Sequence, residues 1–567
     1  MISERTIWVM LYTKLFGKTL RTVPHELKTK SHEYLIRGGF IRSLGQGLFS
    51  LLPLGHKVMK NIREIIIEEL ELLGGQEVNV PMINPLDIWK RSGRDELVAM
   101  DMVRFRDRSG KDLVISPTHE EAMVELVRQG IQSYRDLPIL LYQFQLKFRD
   151  EEKPGYGLIR AKEFTMNDGY SFHSSYSDLN NFFPKVFSAY ERIFKKCGVQ
   201  IYTAESGVGY MGGEKAYEFL APVDWGDNNL IYCTSCGYKA NQDIAMGTKR
   251  YFTGPLKQVK KIETPQCSTM DQLSVYLDKP KTSLVKSMVY RSTIGFVMAV
   301  VRADFTVSID KLSKYIKAPI IRLASKDELI SLGLVPGYLS PLDAPERMII
   351  VVDDSVSNSA NLVIGANEWE RHFVNVNFGR DFETENVADI VKIKTPARCF
   401  QCGADLEAQP VLEVANIFKL GNFYSRSMGL IFTDDKGKET HPFMGSYGIG
   451  MGRLLSAIVE TNHDEQGVVW PIRISPFKAF LMGIGKSISV KRVVDEIHRQ
   501  LGTLVLVDDR GESPGVKFQD SDLLGFPFRI VVTAKHLEDQ KVELLERRSG
   551  KKKVLPIAEA ISRIKKS

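Results

Sequence analysis

The chain has 567 residues, of which 43% are hydrophobic and 26% are charged, and its formal net charge is +7. Such a composition is typical of a globular protein of roughly two to four domains, and no run of about 18 uncharged apolar residues is present, which excludes a membrane-spanning helix. The mild positive charge is compatible with binding a polyanion but is equally ordinary for an enzyme. Six cysteines, four of them in two CxxC pairs, fit a reducing cytoplasm better than a disulfide framework.

The N-terminal stretch MISERTIWVMLY is partly apolar but contains Glu4 and Arg5. It lacks a long apolar run and a small-residue cleavage site, so we do not expect a signal peptide. A start at Met1 and a start at Met10 are both compatible with the sequence.

The first predicted elements are a helix, a strand and a hairpin. Residues 55–73 repeat apolar residues at three- and four-residue spacing, which predicts an amphipathic helix ended by Gly74 and Gly75. QEVNVPMINP then alternates as a half-buried strand does, and Pro81 places that strand at an edge or an interface. A hairpin turning at Ser109-Gly110 leads to SPTHEE at a helix start. Read by itself, SPTHEE is a capping box.

Two antiparallel strands are predicted on either side of the loop EEKPGYG. Because strand side chains alternate, we expect Arg149 and Glu151 to point the same way on the first strand, and Arg160 and Phe164 to follow on the second. An arginine fork suits a phosphate, a carboxylate orients an amine, and a phenyl ring stacks on a base. The alternative is a surface hairpin with chance salt bridges.

A helix is predicted over 177–198, and GSYGIGMGR, residues 445–453, predicts a strand, a glycine-rich turn and a helix. The glycine spacing differs from the dinucleotide-binding pattern. It indicates backbone packed against a flat ligand, with Arg453 near a phosphate tail; the alternative is a cluster of glycines that packs helices.

From about residue 476, strands and helices alternate, which indicates a separate α/β domain. Residues 240–395 alternate in the same way.

The two CxxC pairs lie at the two ends of that 240–395 segment. Each pair resembles half of a tetracysteine zinc site, and together they would supply four ligands, Cys233, Cys236, Cys399 and Cys402. The alternative is four reduced cysteines without a metal.

The order of these pieces resembles the three signature motifs of class II aminoacyl-tRNA synthetases. In detail, SPTHEE, FRDEEKPGYGLIRAKEFTMNDGYSFH and GSYGIGMGRLL resemble bacterial-type prolyl-tRNA synthetases, from about residue 10 to the end. The resemblance implies an α+β fold: an antiparallel catalytic sheet, an inserted α/β editing domain and a C-terminal α/β anticodon-binding domain. The implied bounds are 1–232 and 403–475 for the catalytic domain, 233–402 for the editing domain and 476–567 for the anticodon-binding domain. Zinc would then clamp the neck where the insertion leaves and re-enters its host.

The activity implied by the resemblance is ATP-dependent ligation of proline to tRNA(Pro). Proline's carboxylate attacks the α-phosphate of ATP, arginines and Mg²⁺ neutralise charge, and the prolyl group then passes to the tRNA. By position, the ATP residues would be Arg149, Glu151, Arg160, Phe164 and Arg453. The proline residues would be Thr118, Glu120, Arg149, His173 and Ser446, the last standing where some relatives carry cysteine.

Several tRNA contacts are implied as well. Lys153 stands where relatives often carry an arginine that reads the acceptor stem, and lysine lacks the arginine fork. In the C-terminal domain, Arg510, Lys517 and Phe518 would offer charge and stacking to anticodon bases. The first helix and the Pro81 strand imply a homodimer, and the family implies a cytoplasmic location.

The inserted domain resembles free-standing deacylases that hydrolyse mischarged tRNA, here alanyl-tRNA(Pro). Its implied pocket residues are Thr264, Lys286, Asp353 and His372; without the resemblance these would count as surface residues. Editing is needed because missing methylenes discriminate by only about 1–3 kcal/mol. The alternatives are a threonyl or glycyl synthetase, a non-catalytic RNA-binding paralogue, and a deacylase with a decayed synthetase core. Motif 2 lacks the zinc ligands of a threonyl enzyme, and intact Arg149 and Arg453 disfavour the other two.

Overall fold

The computed structural model describes residues 10–22, 27–99 and 101–567. The N-terminal stretch 1–9, and with it the choice between Met1 and Met10 as the start, lies outside these residues. Within them, no helix combines the length and the apolar character that a membrane span requires.

Among the residues that the structure describes, those up to 248 contain five α-helices and thirteen strands. They are α1 (Lys30–Arg37), α2 (Pro53–Glu71), α3 (Leu86–Ser92), α4 (Glu120–Arg128) and α5 (Tyr176–Lys196), with β1 (Ile41–Gly45), β2 (Leu48–Leu51), β3 (Gly75–Glu77), β4 (Ile83–Pro85), β5 (Val103–Arg106), β6 (Asp112–Ile115), β7 (Ile139–Phe148), β8 (Glu163–His173), β9 (Tyr202–Ser206), β10 (Lys215–Pro222), β11 (Asn228–Cys233), β12 (Lys239–Asn241) and β13 (Gly247–Thr248).

The insertion and the return to the catalytic domain follow. The insertion contains β14 (Lys260–Glu263), α6 (Met270–Tyr276), β15 (Val285–Ser292), β16 (Gly295–Arg302), β17 (Thr306–Val307), α7 (Ile309–Ile316), β18 (Ile320–Leu323), α8 (Lys326–Ser331), β19 (Ile349–Asp353), α9 (Asp354–Ser357), β20 (Leu362–Gly365), β21 (Arg371–Val376), β22 (Val387–Ala388) and β23 (Val391–Lys392). The return contains β24 (Ala397–Cys399), β25 (Asp405–Gly421), α10 (Phe423–Ser427), β26 (Phe432–Thr433), β27 (Glu439–Thr440), β28 (Phe443–Gly450) and α11 (Met451–Thr461).

The C-terminal region alternates strands and helices as predicted. It contains β29 (Ala479–Ile484), α12 (Ile488–Leu501), β30 (Val505–Asp508), α13 (Pro514–Leu524), β31 (Phe528–Thr533), α14 (Ala534–Leu537), β32 (Lys541–Glu546), β33 (Lys551–Pro556) and α15 (Ile557–Lys566). Its sheet has the order β30-β29-β31-β32-β33, and the hairpin between β32 and β33 turns at Ser549-Gly550.

A large, mainly antiparallel sheet of order β10-β9-β12-β11-β25-β28-β8-β7-β3 forms the centre of the catalytic domain. Its middle strands come from both sides of the insertion, because β25 pairs with β28, β28 with β8 and β8 with β7. Helices α2, α5 and α11 cover one face through a core that contains Ile62, Tyr190 and Leu455. The other face is the floor of a cavity. The predicted α+β architecture is therefore confirmed.

Helix α2 confirms the predicted amphipathic helix, shifted by two residues at each end. Pro53 occupies its first turn, where a missing N–H costs nothing. The apolar positions that repeat at three and four residues are all buried; they include Val58, Ile62, Ile65, Ile66 and Leu70. Burying one such side chain stabilises the fold by about 1.5–3 kcal/mol.

The strand predicted over residues 76–85 is instead two short strands separated by Pro81. Before the proline, β3 pairs in parallel with β7 at the edge of the large sheet. After it, β4 pairs with β6 in a separate three-stranded sheet. The split follows from Pro81, which has no N–H to donate to a neighbouring strand.

The insertion has sheets of its own, a five-stranded sheet of order β18-β15-β16-β19-β22 and a three-stranded sheet of order β14-β21-β20. The strands nearest its two ends, β12, β13 and β24, pair within the large catalytic sheet instead. The neck is thus built into the host sheet, while the independent sheets begin at Lys260. The domain bounds given above stay predictions.

Candidate active site

A cavity of about 390 Å³ lies over the open face of the catalytic sheet. It collects eight of the nine side chains predicted for proline and ATP, although they come from distant parts of the chain. These are Thr118, Glu120, Arg149, Glu151, Arg160, Phe164, Ser446 and Arg453. The ninth, His173, is absent from its lining.

Glu120 forms the buried acidic end of the cavity. It is the first residue of α4, and its two carboxylate oxygens accept hydrogen bonds from the hydroxyls of Thr118 at 2.5 Å and Ser446 at 3.0 Å. Ser446 comes from β28, on the far side of the insertion. The carboxylate is therefore held in one orientation, with negative charge available to a ligand ammonium group.

Three arginines line the other part of the cavity in different electrostatic states. Arg160 pairs with Glu151 at 2.8 Å. Arg453 donates to the carbonyl oxygens of Ile159 and Glu413 at 3.1 Å each. Burial alone would lower the pKa of Arg453, but Glu413 and other nearby carboxylates outweigh burial and raise it. Both side chains are thus held in place by the protein before any ligand binds.

Arg149 differs from the other two arginines because it makes no ion pair within the described part of the chain. Its Nε donates to the carbonyl of Pro117 at 3.3 Å, and its guanidinium lies 5.4 Å from the centre of the Phe164 ring. The outer nitrogens of the fork remain free for a planar or tetrahedral anion.

The predicted placement of three motif residues on strands is wrong. Strand β7 ends at Phe148 and β8 begins at Glu163, so Arg149, Glu151 and Arg160 lie in the connection between them. The alternation of side chains along a strand therefore does not set their directions. Local contacts orient them instead, including the Glu151–Arg160 ion pair. Phe164 is on β8 as predicted. Lys153 is exposed in this loop, a placement compatible with a contact to tRNA.

The prediction that His173 lines the proline pocket is not met. The cavity is lined by alternate residues of β8, namely Phe164, Met166, Asp168 and Tyr170. Because strand side chains alternate between the two faces, His173 lies on the opposite face. There its ring lies 5.2 Å from Phe182 of α5, and its nitrogens bond Asp178 and Ser171, each at 2.9 Å.

Sequence reasoning missed two buried charged groups beside the cavity. Arg94 is completely buried and lies 3.0 Å from Glu121. Lys147 forms a 2.7 Å ion pair with Asp168, whose other oxygen accepts from Tyr170 at 2.9 Å. Counting by twos from Phe164 would have found Asp168. No local pattern marks Arg94, which follows α3 in an apparent loop sequence.

The glycine-rich stretch 445–453 contains no turn of its own. Gly445, Gly448 and Gly450 lie within β28, and α11 begins directly at Met451. Gly448 and Gly450 line the cavity, so the backbone itself forms part of the wall. The close approach of this backbone to a ligand stays a prediction.

The four cysteines predicted as zinc ligands come together at the neck of the insertion. The sulfurs of Cys233 and Cys402 lie 3.5 Å apart and those of Cys236 and Cys399 lie 3.7 Å apart. All four sulfurs lie within 4.8 Å of one another. Sulfurs bound tetrahedrally at about 2.3 Å from one zinc ion are about 3.8 Å apart, so the donor set fits zinc.

The four residues predicted for editing do not form one hydrogen-bonded group. Thr264 and His372 are buried and joined at 2.6 Å, and burial lowers the pKa of His372 to about 4. Asp353 instead accepts from the Lys249 ammonium group at 2.9 Å and from two backbone N–H groups. Asp353 is thus fully buried and paired with Lys249 rather than with Thr264 or His372, and its place in the editing pocket stays a prediction.

Lys286 is the fourth predicted editing residue and lies on β15. Burial and the ammonium groups of Lys394 and Lys281 lower its pKa. Within the described residues it forms no ion pair with Asp353 and no hydrogen bond with Thr264 or His372. The Asp304 carboxylate opposes these effects on the pKa, so two cationic groups and one anionic group act on Lys286.

The three residues predicted to read the anticodon all make contacts within the C-terminal domain, Lys517 buried and Arg510 and Phe518 partly buried, and their role towards tRNA stays a prediction. Arg510 pairs with Asp508 at 2.7 Å and with Asp520 at 2.9 Å. Lys517 is 5% exposed and donates to backbone carbonyls. Phe518 packs against the core, with Arg529 over its ring at 4.8 Å. Residues of the same domain thus already supply the ion-pair, hydrogen-bond and ring contacts of these three side chains.

Comparison with known proteins yields two family matches. Residues 103–462 match the class II core domain of tRNA synthetases (G, H, P, S and T), and residues 479–567 match an anticodon binding domain.

Full-length relatives are similar over nearly the whole chain. A proline–tRNA ligase of Dehalococcoides mccartyi is 38% identical over 560 residues, which cover 98% of each chain. One of Halothermothrix orenii is 38% identical over 563 residues, which cover 98% of this chain and 99% of that protein. Among solved structures, prolyl-tRNA synthetase from Cryptosporidium parvum complexed with L-proline and AMP has a TM-score of 0.56 over 94% of this chain and 74% of its own. At 14% identity, that match speaks for the fold alone.

Proposed function

The chain belongs to the proline–tRNA ligases, a family of class II aminoacyl-tRNA synthetases, and we propose that the cavity over the catalytic sheet binds proline between Glu120 and Arg149 with ATP beside it. The observation that carries this assignment is the pair of opposite charges in one cavity. Glu120 is buried and oriented, and Arg149 has no acidic partner among the described residues. An amino acid presents the complementary ammonium and carboxylate.

The family reaction then follows from positioning and charge. Proline's carboxylate attacks the α-phosphate of ATP, pyrophosphate leaves, and the prolyl group passes from the adenylate to the terminal ribose of tRNA. We assign Arg149 to the proline carboxylate and the α-phosphate, and Phe164 to the adenine ring. Arg453 would meet the γ-phosphate. Both arginines stabilise negative charge that develops in the transition state.

Two further residues of the ATP end have supporting roles. Glu151 and Arg160, paired at 2.8 Å, would hold the nucleotide jointly. The carboxylate of Glu413 lies in the same wall and is an oxygen ligand of the kind that Mg²⁺ prefers. When bound there, Mg²⁺ would neutralise phosphate charge.

Amino-acid-dependent exchange of pyrophosphate into ATP tests the assignment. We expect strong exchange with proline, weak exchange with alanine and none with the other amino acids. Glu120→Gln should raise the KM for proline while leaving the KM for ATP within about threefold. An unchanged KM for proline would remove Glu120 from the amino-acid site.

We also propose that the inserted domain hydrolyses alanyl-tRNA(Pro) at a site that includes Thr264, Lys286 and His372. The support is the buried Thr264–His372 pair and the positive environment of Lys286, whose ammonium group would hold a phosphate near the tRNA terminus. Water attacks the ester carbonyl, releasing alanine and free tRNA. Lys286→Ala should reduce alanyl-tRNA hydrolysis at least tenfold and leave prolylation unchanged. Lys326→Ala, an exposed change in the same insertion, is the matched control.

A zinc ion at the four cysteines would clamp the neck of the insertion. The support is the fit of the sulfur distances to tetrahedral coordination and their location where both chain ends enter the host sheet. We expect one zinc per chain in protein purified without chelator. A zinc content far below that would refute the clamp.

A homodimer is the remaining proposal. Its support is the exposure of large apolar side chains around the first motif, where Leu72 is 74% exposed and Ile83 is 50% exposed. Light scattering at micromolar concentration should give twice the mass of 64.1 kDa. A monomer at that concentration contradicts the proposal.

A further inference from the structure

Arg94 is a fully buried cation placed directly behind the amino-acid end of the cavity. It follows α3, and its Nη1 lies 3.0 Å and 3.2 Å from the two carboxylate oxygens of Glu121. The same nitrogen is 3.4 Å from Glu120. The rings of Trp89 and Tyr424 flank the guanidinium at 5.4 Å and 5.3 Å. No solvent reaches the group, so its charge must be balanced by these two glutamates.

The three buried charged groups differ in whether their partners lie within the protein or in the cavity. Glu121 accepts from both Arg94 and the Ser92 hydroxyl at 2.8 Å, which uses its oxygens within the protein. Glu120 is the only one of the three that lines the cavity. Two carboxylates and one guanidinium leave one formal negative charge, and the cavity is the only side on which it faces a ligand. That charge equals the one positive charge of an amino-acid ammonium group.

We propose that Arg94 is a positioning residue for the amino acid, because it balances Glu121 and so leaves the charge of Glu120 for the substrate ammonium. The inference rests on the proposed role of Glu120. Arg94 touches neither the cavity nor a substrate; it acts through the two carboxylates.

Electrostatics gives each member of the pair a definite effect. Without Arg94, two adjacent buried carboxylates repel each other and share one proton, so the remaining negative charge is no longer fixed on Glu120, where the substrate needs it. Burial already raises the pKa of Glu121 against the opposing effect of Arg94. Without Glu121, Arg94 pairs with Glu120 and neutralises it. Removal of both again leaves one negative charge, and it is fixed on Glu120 because that is the only carboxylate left of the three groups.

A charge-balance cycle in the exchange assay tests this. Arg94→Met and Glu121→Gln should each raise the KM for proline at least tenfold and leave the KM for ATP within threefold. The double variant should bind proline at least fivefold better than either single variant, although it lacks more native contacts. Arg94→Lys keeps the charge and should remain closer to the wild type than Arg94→Met.

Two results would overturn the inference. One is a double variant no better than the worse single variant; the other is a parallel rise in both KM values, which marks a purely structural role. If Arg94→Met does not fold in a thermal melt, Glu121→Gln and Arg94→Lys decide the matter by the same KM comparison. Glu120→Gln distinguishes a failure of the proposed function from a failure of this inference alone. If it leaves the KM for proline unchanged, the proposed function fails. If it raises that KM while the Arg94 and Glu121 variants do not, only this inference fails.

Discussion

Replacing Arg149 by alanine should abolish most proline activation without harming the fold. The two outer guanidinium nitrogens can each form a charge-assisted hydrogen bond, one to the proline carboxylate and one to the α-phosphate. Each such bond contributes about 1.5–3 kcal/mol. Their combined loss of about 3–6 kcal/mol corresponds to a fall of roughly 10²- to 10⁴-fold in kcat/KM for proline-dependent exchange.

Stability should change little in the same variant, because no buried acid loses its partner. Arg149 gives up one hydrogen bond to Pro117 and its contact with the Phe164 ring, together worth about 1–2 kcal/mol. Arg149→Lys keeps a point charge but not the fork, so its activity should be intermediate. Arg108→Ala, at an exposed hairpin position, is the matched control and should leave exchange unchanged.

Exchange kinetics at saturating ATP and varied proline, with thermal unfolding of each variant, provide the measurement. A fall of less than tenfold in kcat/KM, about 1.4 kcal/mol, would show that Arg149 does not bridge the two anions. A large fall accompanied by a much lower Tm would assign the residue to the fold instead.

Three other outcomes are expected. Cys399→Ser should lower the zinc content and the Tm of the purified protein, since one ligand of the proposed site is lost; an unchanged zinc content contradicts this. Arg510→Met should destabilise the C-terminal domain by about 1.5–3 kcal/mol in denaturant unfolding, because Asp508 and Asp520 each lose a close charged partner and keep only Lys517 at 3.9 Å and Arg21 at 3.2 Å; a weaker KM for tRNA at full stability would instead support a role in binding. Stability should fall as pH decreases from about 6.5 towards 4, the window in which the unfolded chain takes up a proton that buried His372 resists. His372→Gln should make that pH profile shallower without abolishing it, because burial also lowers the pKa of His119, to about 3, and that of His173.

Local patterns in the sequence were sufficient to predict several helices and strands. The three- and four-residue spacing of apolar side chains identified α2 to within two residues, and the turn at Ser109-Gly110 identified the hairpin of β5 and β6. The alternation after residue 476 predicted the C-terminal α/β domain. These features depend on residues close together in the chain, so a short window of sequence contains their physical cause.

The family resemblance located the cavity, but the direction of each side chain depended on tertiary packing. His173 was expected in the pocket because of its motif, yet its parity on β8 turns it towards α5. Arg510 and Lys517 were expected to meet RNA because they are charged. In the structure, Arg510 forms an ion pair with the buried Asp520 and Lys517 donates to the carbonyl of Asp508.

By itself, the sequence determined the catalytic motifs, their order and the two CxxC pairs, because each is a contiguous pattern. Only the tertiary structure decided which distant groups share a charge. Arg94 and Glu121 are 27 residues apart, and Glu120 and Ser446 are 326 residues apart, yet all four lie in one buried cluster. Electrostatic balance in a buried site depends on distance through space, for which separation along the chain is no guide.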